Sequence, residues 1–235
     1  MNNKRVLITG AAGSLGSALA KLFIDAGFHV YGLDKADAFK DDHILDRDRR
    51  LTITLEAPGF VSRTLQNQPD VDILINAAGI RLNLITSDYE ANTAMAVFQV
   101  NAYAPLALAA AYADRPISTL RRVVHVASAA GIEPSPDDLI YGMSKAALIH
   151  GVRGLANEFP KVVNLAIAPP LIQGSNMAIG ADEDVIARWT ATTPTGTLPT
   201  VDEVAAEIFW LATEAPADMS GTCFGMNRQP YKSLS

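Results

Sequence analysis

The stretch from Thr9 to Gly16, Thr-Gly-Ala-Ala-Gly-Ser-Leu-Gly, restricts the fold of this chain more than any other feature. It follows a short apolar run at residues 6–9 and opens a helical pattern whose apolar residues share one face. Glycine lets the backbone turn tightly after a strand, and it lets the following helix pack close to the sheet. The stretch therefore predicts a strand, a glycine turn and a helix, which together form the first βα unit of a parallel sheet.

Short β-branched runs and longer helical patterns alternate along the rest of the chain. Strands that are apolar throughout are buried on both faces, and their alternation with helices implies a parallel sheet covered on both sides. Because such crossovers are right-handed, the predicted fold is one doubly wound α/β domain with three layers. The predicted strands are 6–9, 28–33, 51–55, 71–75, 122–127, 162–168 and 222–226, and the predicted helices are 14–26, 87–113, 139–159 and 200–213.

Composition excludes several classes of function. The 235 residues fit a single domain. They include 19 basic and 25 acidic residues, a net charge of −6, which argues against a nucleic-acid binder or a polybasic membrane anchor. Cys223 is the only cysteine, and no signal sequence or apolar run of about 20 residues is evident. We therefore expect a soluble, cytoplasmic protein without internal disulfides.

The glycine turn and the acid after the second strand suggest a nucleotide site. Gly13 lets the backbone approach a pyrophosphate, and the helix that follows offers free N–H groups and a positive dipole end to it. Asp34 ends the second strand, where a carboxylate can accept hydrogen bonds from an adenosine ribose. Because a carboxylate repels a 2′-phosphate, we predict NAD(H). Lys35 and the arginine-rich segment 47–50 leave NADP(H) as the alternative.

A tyrosine and a lysine one helical turn apart point to proton transfer. Tyr141 and Lys145 lie on the same face of a predicted helix. An ordinary tyrosine has a pKa of about 10, and a nearby ammonium is expected to lower it toward the range useful for acid–base catalysis. Ser128 ends the fifth strand, whose carboxyl end faces the same crevice, so its hydroxyl can hold a substrate oxygen.

Because these motifs occur in this order along the chain, it resembles the short-chain dehydrogenase/reductase family in its compact single-domain branch. The resemblance covers nearly the whole chain. Its elements are the glycine turn, Asp34, Asn76-Ala77-Ala78-Gly79 after the fourth strand, Asn101 in the long helix, Ser128, and Tyr141 with Lys145.

The resemblance implies a Rossmann-like fold and a proton relay of four residues. Tyr141 is expected to be the general acid/base, Lys145 to lower its pKa and bind the nicotinamide ribose, and Ser128 to orient the substrate oxygen. Asn101 is expected to maintain a helix irregularity and a water linked to Lys145. The residues implied in cofactor binding are Gly10, Gly13, Ser14, Leu15, Gly16, Asp34, Asn76, Ala77, Gly79, Tyr141, Lys145, Pro169 and Ile172.

The glycine spacing departs from the compact branch. Gly-x-x-Gly-x-x-Gly resembles the extended branch, which includes epimerases and dehydratases, whereas the compact branch usually has glycine where this chain has Ser14. The leading prediction is an NAD(H)-dependent oxidoreductase that interconverts a secondary alcohol and a ketone. The alternatives are a nicotinamide-dependent epimerase or dehydratase, and a nucleotide-binding regulatory module without turnover.

The substrate region is expected to include a lid at about 169–199. Arg81 and Asn83 either contact a polar or acidic substrate or are exposed to solvent, and Met177 gives the lid apolar surface. A medium-sized, partly apolar hydroxy or keto compound, cyclic ones included, fits this description. His125 lies inside a strand and is predicted to be a buried core residue. No cluster has metal-ligand spacing, so no metal is expected. A homodimer or homotetramer through the helices near 90–113 and 141–159 is implied by the resemblance.

Overall fold

Seven short strands form one parallel sheet in the described part of the chain. The computed structural model describes residues 4–35, 38–82, 84, 86–134, 138–179, 181–191, 193 and 195–226. All six strand pairs are parallel, which confirms the predicted doubly wound α/β sheet. The strands are β1 (Arg5–Thr9), β2 (His29–Asp34), β3 (Arg50–Thr52), β4 (Ile73–Asn76), β5 (Arg122–Val126), β6 (Val163–Ala168) and β7 (Cys223–Gly225).

Helices cover both faces of the sheet. Alternate residues of β1 show the division: Val6 and Ile8 pack into a core with Leu19 and Val204, whereas Leu7 packs into a core with Phe60 and Leu108. A strand buried on both faces in this way is apolar throughout, as its sequence indicated. The helices are α1 (Ser14–Asp25), α2 (Phe60–Asn67), α3 (Ala91–Phe98), α4 (Ala104–Ala113), α5 (Leu139–Glu158), α6 (Glu183–Ala191) and α7 (Val201–Thr213).

The strand order reverses direction beside β1. From β1 the chain passes outward to β2 and β3, then returns to place β4 on the other side of β1 and continues to β7. In open α/β sheets, ligands bind outside the carboxyl ends of the strands at such a reversal. Thr9 and Asn76, the last residues of β1 and β4, are paired in register there. The fold thus places a crevice between the glycine turn and the segment after β4.

Two helices were missed in the sequence, and one predicted helix is interrupted. Helix α2 has only eight residues and buries only Phe60 and Thr64, so its apolar pattern is too short to predict a helix. Helix α6 lies inside the segment predicted to be a lid, at about 169–199. The long helix predicted at 87–113 begins at Ala91 and contains a π-helical stretch, Gln99–Tyr103.

The continuous helical run Ala91–Ala113 is long and apolar enough to cross a membrane, by length and mean hydropathy alone. It is built into the core of this domain. Leu108, Ala109 and Tyr112 are buried and pack with residues of β4 and β5. Its apolar composition is therefore explained by its position against the sheet.

Candidate active site

The glycine turn forms one wall of a cleft of about 690 Å³ at the carboxyl end of the sheet. Gly10 has a φ of +69°, a left-handed conformation that suits glycine, and its N–H donates to the Leu33 carbonyl over 2.8 Å. A Cβ on Gly16 would collide with the carbonyl oxygen of Gly10. Gly13 precedes α1 and has no side chain to cap it, and the first residues of this helix line the cleft.

Asp34 lies at the same end of the cleft and is held by backbone donors. Its Oδ2 accepts from the N–H of Ala12 at 2.9 Å, and its Oδ1 accepts from the N–H of Lys35 at 2.8 Å. Both Asp34 and Lys35 line the cleft. We call the end of the cleft that holds the glycine turn and Asp34 the glycine end. A glycine turn that a side chain would fill, uncapped helix N–H groups and a fixed carboxylate fit the phosphates and ribose of a dinucleotide.

His43 supports the glycine turn from behind, a contact that no pattern in the sequence indicated. Its Nδ1 accepts from the N–H of Leu45 at 3.1 Å, so in the neutral ring Nε2 carries the proton. Nε2 lies 3.0 Å from the carbonyl of Ala11 and 3.3 Å from Oγ of Ser17. His43 is therefore a positioning residue that ties the segment before β3 to the turn.

Ser128, Tyr141 and Lys145 meet at the opposite end of the cleft, which we call the tyrosine end. All three line the cleft and are nearly buried. The Nζ of Lys145 donates to the Val126 carbonyl at 2.8 Å and lies 5.9 Å from the centre of the Tyr141 ring. A Cβ on Gly142 would lie 2.7 Å from the Ala130 carbonyl oxygen. This close packing fixes the start of α5 against the segment that carries Ser128.

Burial dominates the ionisation of these groups. It lowers the pKa of Lys145 to about 8. It also raises the pKa of Tyr141, and Asp138 raises it further, while a hydrogen bond with Ser128 and the charge of Arg81 lower it. The expectation that Lys145 would bring the pKa of Tyr141 below its ordinary value is therefore wrong for this structure, because desolvation outweighs the opposing effects. At neutral pH Tyr141 is a phenol, which can donate a proton.

Two predicted asparagines act behind the cleft rather than in its lining. Asn101 lies in the π-helical stretch and is fully buried. Its side chain accepts from the N–H of Ile80 and donates to the carbonyl of the same residue, both at 2.8 Å, and it donates to Oγ of Ser144 at 3.0 Å. The helix irregularity expected around Asn101 is thus present, and it fixes the segment after β4.

Asn76 was expected to shape the cofactor cleft directly, but its side chain points into the core. Nδ2 donates to the Pro105 carbonyl at 3.1 Å and lies 3.3 Å from Nδ1 of His125. Of the same segment, Ala77 and Gly79 line the cleft. His125 is fully buried, as predicted, and burial lowers its pKa to about 3, so it is neutral.

The segment after β6 covers the cleft from the side. Pro169 and Ile172 line it, as do Met177 and Ile179 farther along. The N–H of Asn176 donates to Oγ of Ser14 at 3.2 Å, which joins this segment to the start of α1. The remaining predicted cofactor residues also line the cleft, namely Gly10, Gly13, Ser14, Leu15, Gly16, Asp34, Tyr141 and Lys145.

Arg81 is neither free nor directed to solvent. Its Nε lies 2.6 Å from Oδ1 of Asp138, and the side chains are 16% and 4% exposed. Both residues line the cleft. Asn83, predicted beside Arg81, lies outside the described residues. The pairing joins residues 57 positions apart, so the sequence pattern did not indicate it.

Comparison with known proteins decides the family. A family model described as "Enoyl-(Acyl carrier protein) reductase" matches residues 10–227. The chain belongs to the short-chain dehydrogenase/reductase family. This membership makes it an oxidoreductase that acts on CH–OH or C=O groups. It also confirms the family expected from the glycine turn and the Tyr141–Lys145 pair.

Relatives of this dehydrogenase/reductase are similar over most of their length. Protein FixR of Bradyrhizobium diazoefficiens is 31% identical over 93% of this chain and 83% of its own. Galactitol 2-dehydrogenase of Rhizobium johnstonii is 25% identical over 94% and 92%. The structure of a 4-hydroxyisoleucine dehydrogenase complexed with NADH has a TM-score of 0.82, with 24% identity over 95% of this chain and 97% of that one. That structural likeness supports the fold.

Proposed function

We propose that this protein is an NAD(H)-dependent oxidoreductase that interconverts a secondary alcohol and a ketone. The observation that carries the proposal is the meeting of Ser128, Tyr141 and Lys145 at one end of a cleft whose other end fits a dinucleotide. The cofactor, when bound, supplies the hydride chemistry. The protein orients the substrate and moves the proton.

Each residue at the tyrosine end has a distinct task in this proposal. Tyr141 donates a proton to the substrate oxygen during reduction, since its raised pKa keeps it protonated near neutrality. Ser128 holds the same oxygen with its hydroxyl. Lys145, with its pKa near 8, balances the phenolate that forms when Tyr141 gives up its proton. Asn101 keeps the segment after β4 in place through its two bonds to Ile80.

The preference for NAD(H) rests on Asp34 and on the hydrogen bonds that already engage Arg50. Arg50 donates to the carbonyls of Leu45, Lys40 and His43 at 2.8 to 3.1 Å, and it lies over the ring of Phe39. It is therefore committed to the loop before β3. Asp34 remains in the cleft as a carboxylate that repels a 2′-phosphate.

Fluorescence titration with NADH and with NADPH tests the cofactor assignment. We expect NADH to bind at least about 10-fold more tightly, the effect of one charge repulsion of about 1.4 kcal/mol. Asp34→Asn is expected to reduce this preference, while Asp41→Asn, an exposed carboxylate paired with Arg47, leaves it unchanged. Tighter binding of NADPH by the unaltered protein would reverse the assignment. Failure to bind either nucleotide would contradict the proposal of a nicotinamide-dependent enzyme.

Exposed apolar side chains support a homo-oligomer. Met95 and Tyr103 on the run from α3 to α4 are 66% and 58% exposed, and Leu139 and Met143 at the start of α5 are each about half exposed. Large apolar side chains grouped on neighbouring helices are typical of an interface between subunits. We propose that copies of this chain associate through this surface. Light scattering coupled to size exclusion should show a dimer or tetramer that Tyr103→Glu weakens.

A further inference from the structure

The tyrosine end of the cleft contains an ion pair that the proposed proton transfer does not use. Arg81 follows β4, and Asp138 directly precedes α5, three residues before Tyr141. Both residues line the cleft together with Tyr141, and both charges influence its ionisation. Within the described lining of the cleft, the other charged residues are Lys145, which is 3% exposed, and Asp34, Lys35 and Glu56 toward the glycine end.

Arg81 is held in position from both sides. The residue before it, Ile80, exchanges two hydrogen bonds with the side chain of Asn101. The carbonyl of the residue after it, Leu82, accepts from the hydroxyl of Tyr89 at 3.0 Å. The Arg81 side chain is thus presented by a fixed backbone, and little freedom is lost when it binds a ligand.

The pair presents its cationic member to the cleft. Asp138 is 4% exposed at its side chain and Arg81 is 16% exposed. Asp138 is bound by Nε, whereas the guanidinium carries four further N–H donors on its two terminal nitrogens. Such a fork matches the two oxygens of a carboxylate.

Apolar side chains also reach the tyrosine end of the cleft. A Cβ on Gly79 would lie 3.4 Å from Nζ of Lys145 and 3.6 Å from Cε of Met177, which brings Met177 to this end. Met177 and Ile179 line the cleft yet are 40% and 77% exposed. A ligand that covers them removes apolar surface from water.

We propose that Arg81 binds a carboxylate of the substrate, so that the substrate is a hydroxy or keto acid with an apolar body that contacts Met177 and Ile179. This inference rests on the proposed function and adds the substrate class to it. Asp138 has a balancing role: it holds the guanidinium in place and partly neutralises its charge. Removing the charge of Asp138 therefore strengthens carboxylate binding. Removing the charge of Arg81 abolishes the preference for a carboxylate over an uncharged ligand.

Calorimetric binding of hexanoate and of hexanamide, with and without NADH, tests the inference without turnover. The two probes differ in charge and share their apolar chain. We expect hexanoate to bind about 10- to 100-fold more tightly, the range for charge-assisted bonds to a guanidinium. Asp138→Asn should increase this preference about 3- to 10-fold. The double variant Arg81→Gln/Asp138→Asn, which leaves no buried charge unpaired, should bring it to about 1.

Two further variants complete the set. Arg81→Lys keeps the ion pair but loses the planar fork, and it should lower the preference about 3-fold or more. Arg63→Gln removes an exposed arginine of α2 and should leave the preference as in the wild type. The inference is overturned when hexanoate and hexanamide bind equally to the wild type and to Asp138→Asn, or when the double variant keeps the wild-type preference.

Turnover separates this inference from the proposed function. Rates of NADH oxidation are compared for 3-oxohexanoate and its methyl ester, and the ratio of kcat/KM is expected to favour the acid and to fall to about 1 in the double variant. If the enzyme reduces uncharged ketones and shows no preference for acids, the role of Arg81 is refuted and the proposed oxidoreductase activity still stands. If carboxylates bind through Arg81 but no ketone oxidises NADH, the role of Arg81 is supported and the proposed oxidoreductase activity is refuted.

Discussion

Replacing Lys145 by methionine is expected to stabilise the fold at neutral pH while it removes the cation from the active site. Lys145 is 3% exposed, and burial lowers its pKa from 10.5 to about 8. At pH 7 the side chain is still charged in the folded protein, where its charge is poorly solvated. Methionine has a similar length and no charge, so it avoids this cost.

The size of the effect follows from the pKa. The gap between 10.5 and about 8, at about 1.36 kcal/mol for each pH unit, is about 3 kcal/mol. The variant also loses the hydrogen bond from Nζ to the Val126 carbonyl, which contributes about 1–2 kcal/mol. A net gain of about 1–2 kcal/mol remains at pH 7. For a domain of this size, that raises the Tm by about 2–8 °C.

The sign of the pH dependence is fixed by linkage. Because the pKa of Lys145 is lower in the folded state, the unfolded state binds more protons between pH 8 and 10.5. The wild type therefore gains stability relative to the variant as the pH rises through this window. The advantage of methionine is present in full below pH 8, and above pH 10.5 the wild type is the more stable protein by about 1–2 kcal/mol, the contribution of its hydrogen bond to Val126.

Urea unfolding of both proteins without cofactor, from pH 7 to pH 10.5, measures this difference. Lys21→Met is the matched control, because Lys21 is 64% exposed and pairs with Asp25 on the surface of α1. Its unfolding free energy should stay within about 0.5 kcal/mol of the wild type throughout. The prediction is contradicted if Lys145→Met is no more stable than the wild type at pH 7 and if the difference between them does not change with pH.

Three other predictions concern the glycine turn and the single thiol. A methyl on Gly16 collides with the backbone, so Gly16→Ala should lower the Tm by about 4–10 °C. Gly13→Ala is the control, because its new methyl has its nearest contact at 3.4 Å, and its Tm should stay within about 2 °C of the wild type. Equal Tm values for the two variants would contradict this prediction. His43→Ala should weaken NADH binding about 3- to 10-fold in a fluorescence titration, because the turn loses its support; unchanged affinity would argue against that role. Burial raises the pKa of Cys223 to about 12, so a disulfide reagent at pH 8 should modify it slowly in the native protein and rapidly in urea; prompt native reaction would show that the thiol is accessible.

Much of the fold could be predicted because the signals in the sequence are local. Apolar strands followed by glycine or helix patterns specify a parallel sheet wherever they occur, and each predicted strand is present within a few residues of its expected bounds. Helix α2 was missed because an amphipathic pattern of only eight residues, with two buried side chains, is too short to indicate a helix. Strand β3 is shorter than expected because pairing with β2 covers only Arg50–Thr52.

The parts of the site that the sequence did not predict depend on distant contacts. The ion pair between Arg81 and Asp138 and the support of the glycine turn by His43 arise only when separate segments are brought together. Asn76 was placed at the cleft from its motif, but its neighbours in the core, Pro105 and His125, determine where its amide points. The raised pKa of Tyr141 likewise reflects burial that only the packed structure shows.

The most direct test of the proposed oxidoreductase activity follows the absorbance of NADH with a panel of ketones, for the wild type and Tyr141→Phe side by side. We expect the wild type to consume NADH and to form the matching alcohol. We expect a rate about 10²- to 10⁴-fold lower for Tyr141→Phe, which keeps its affinity for NADH. Turnover of a substrate without any net change in NADH would indicate an epimerase or dehydratase. Near-normal ketone reduction by Tyr141→Phe would contradict the role assigned to this residue.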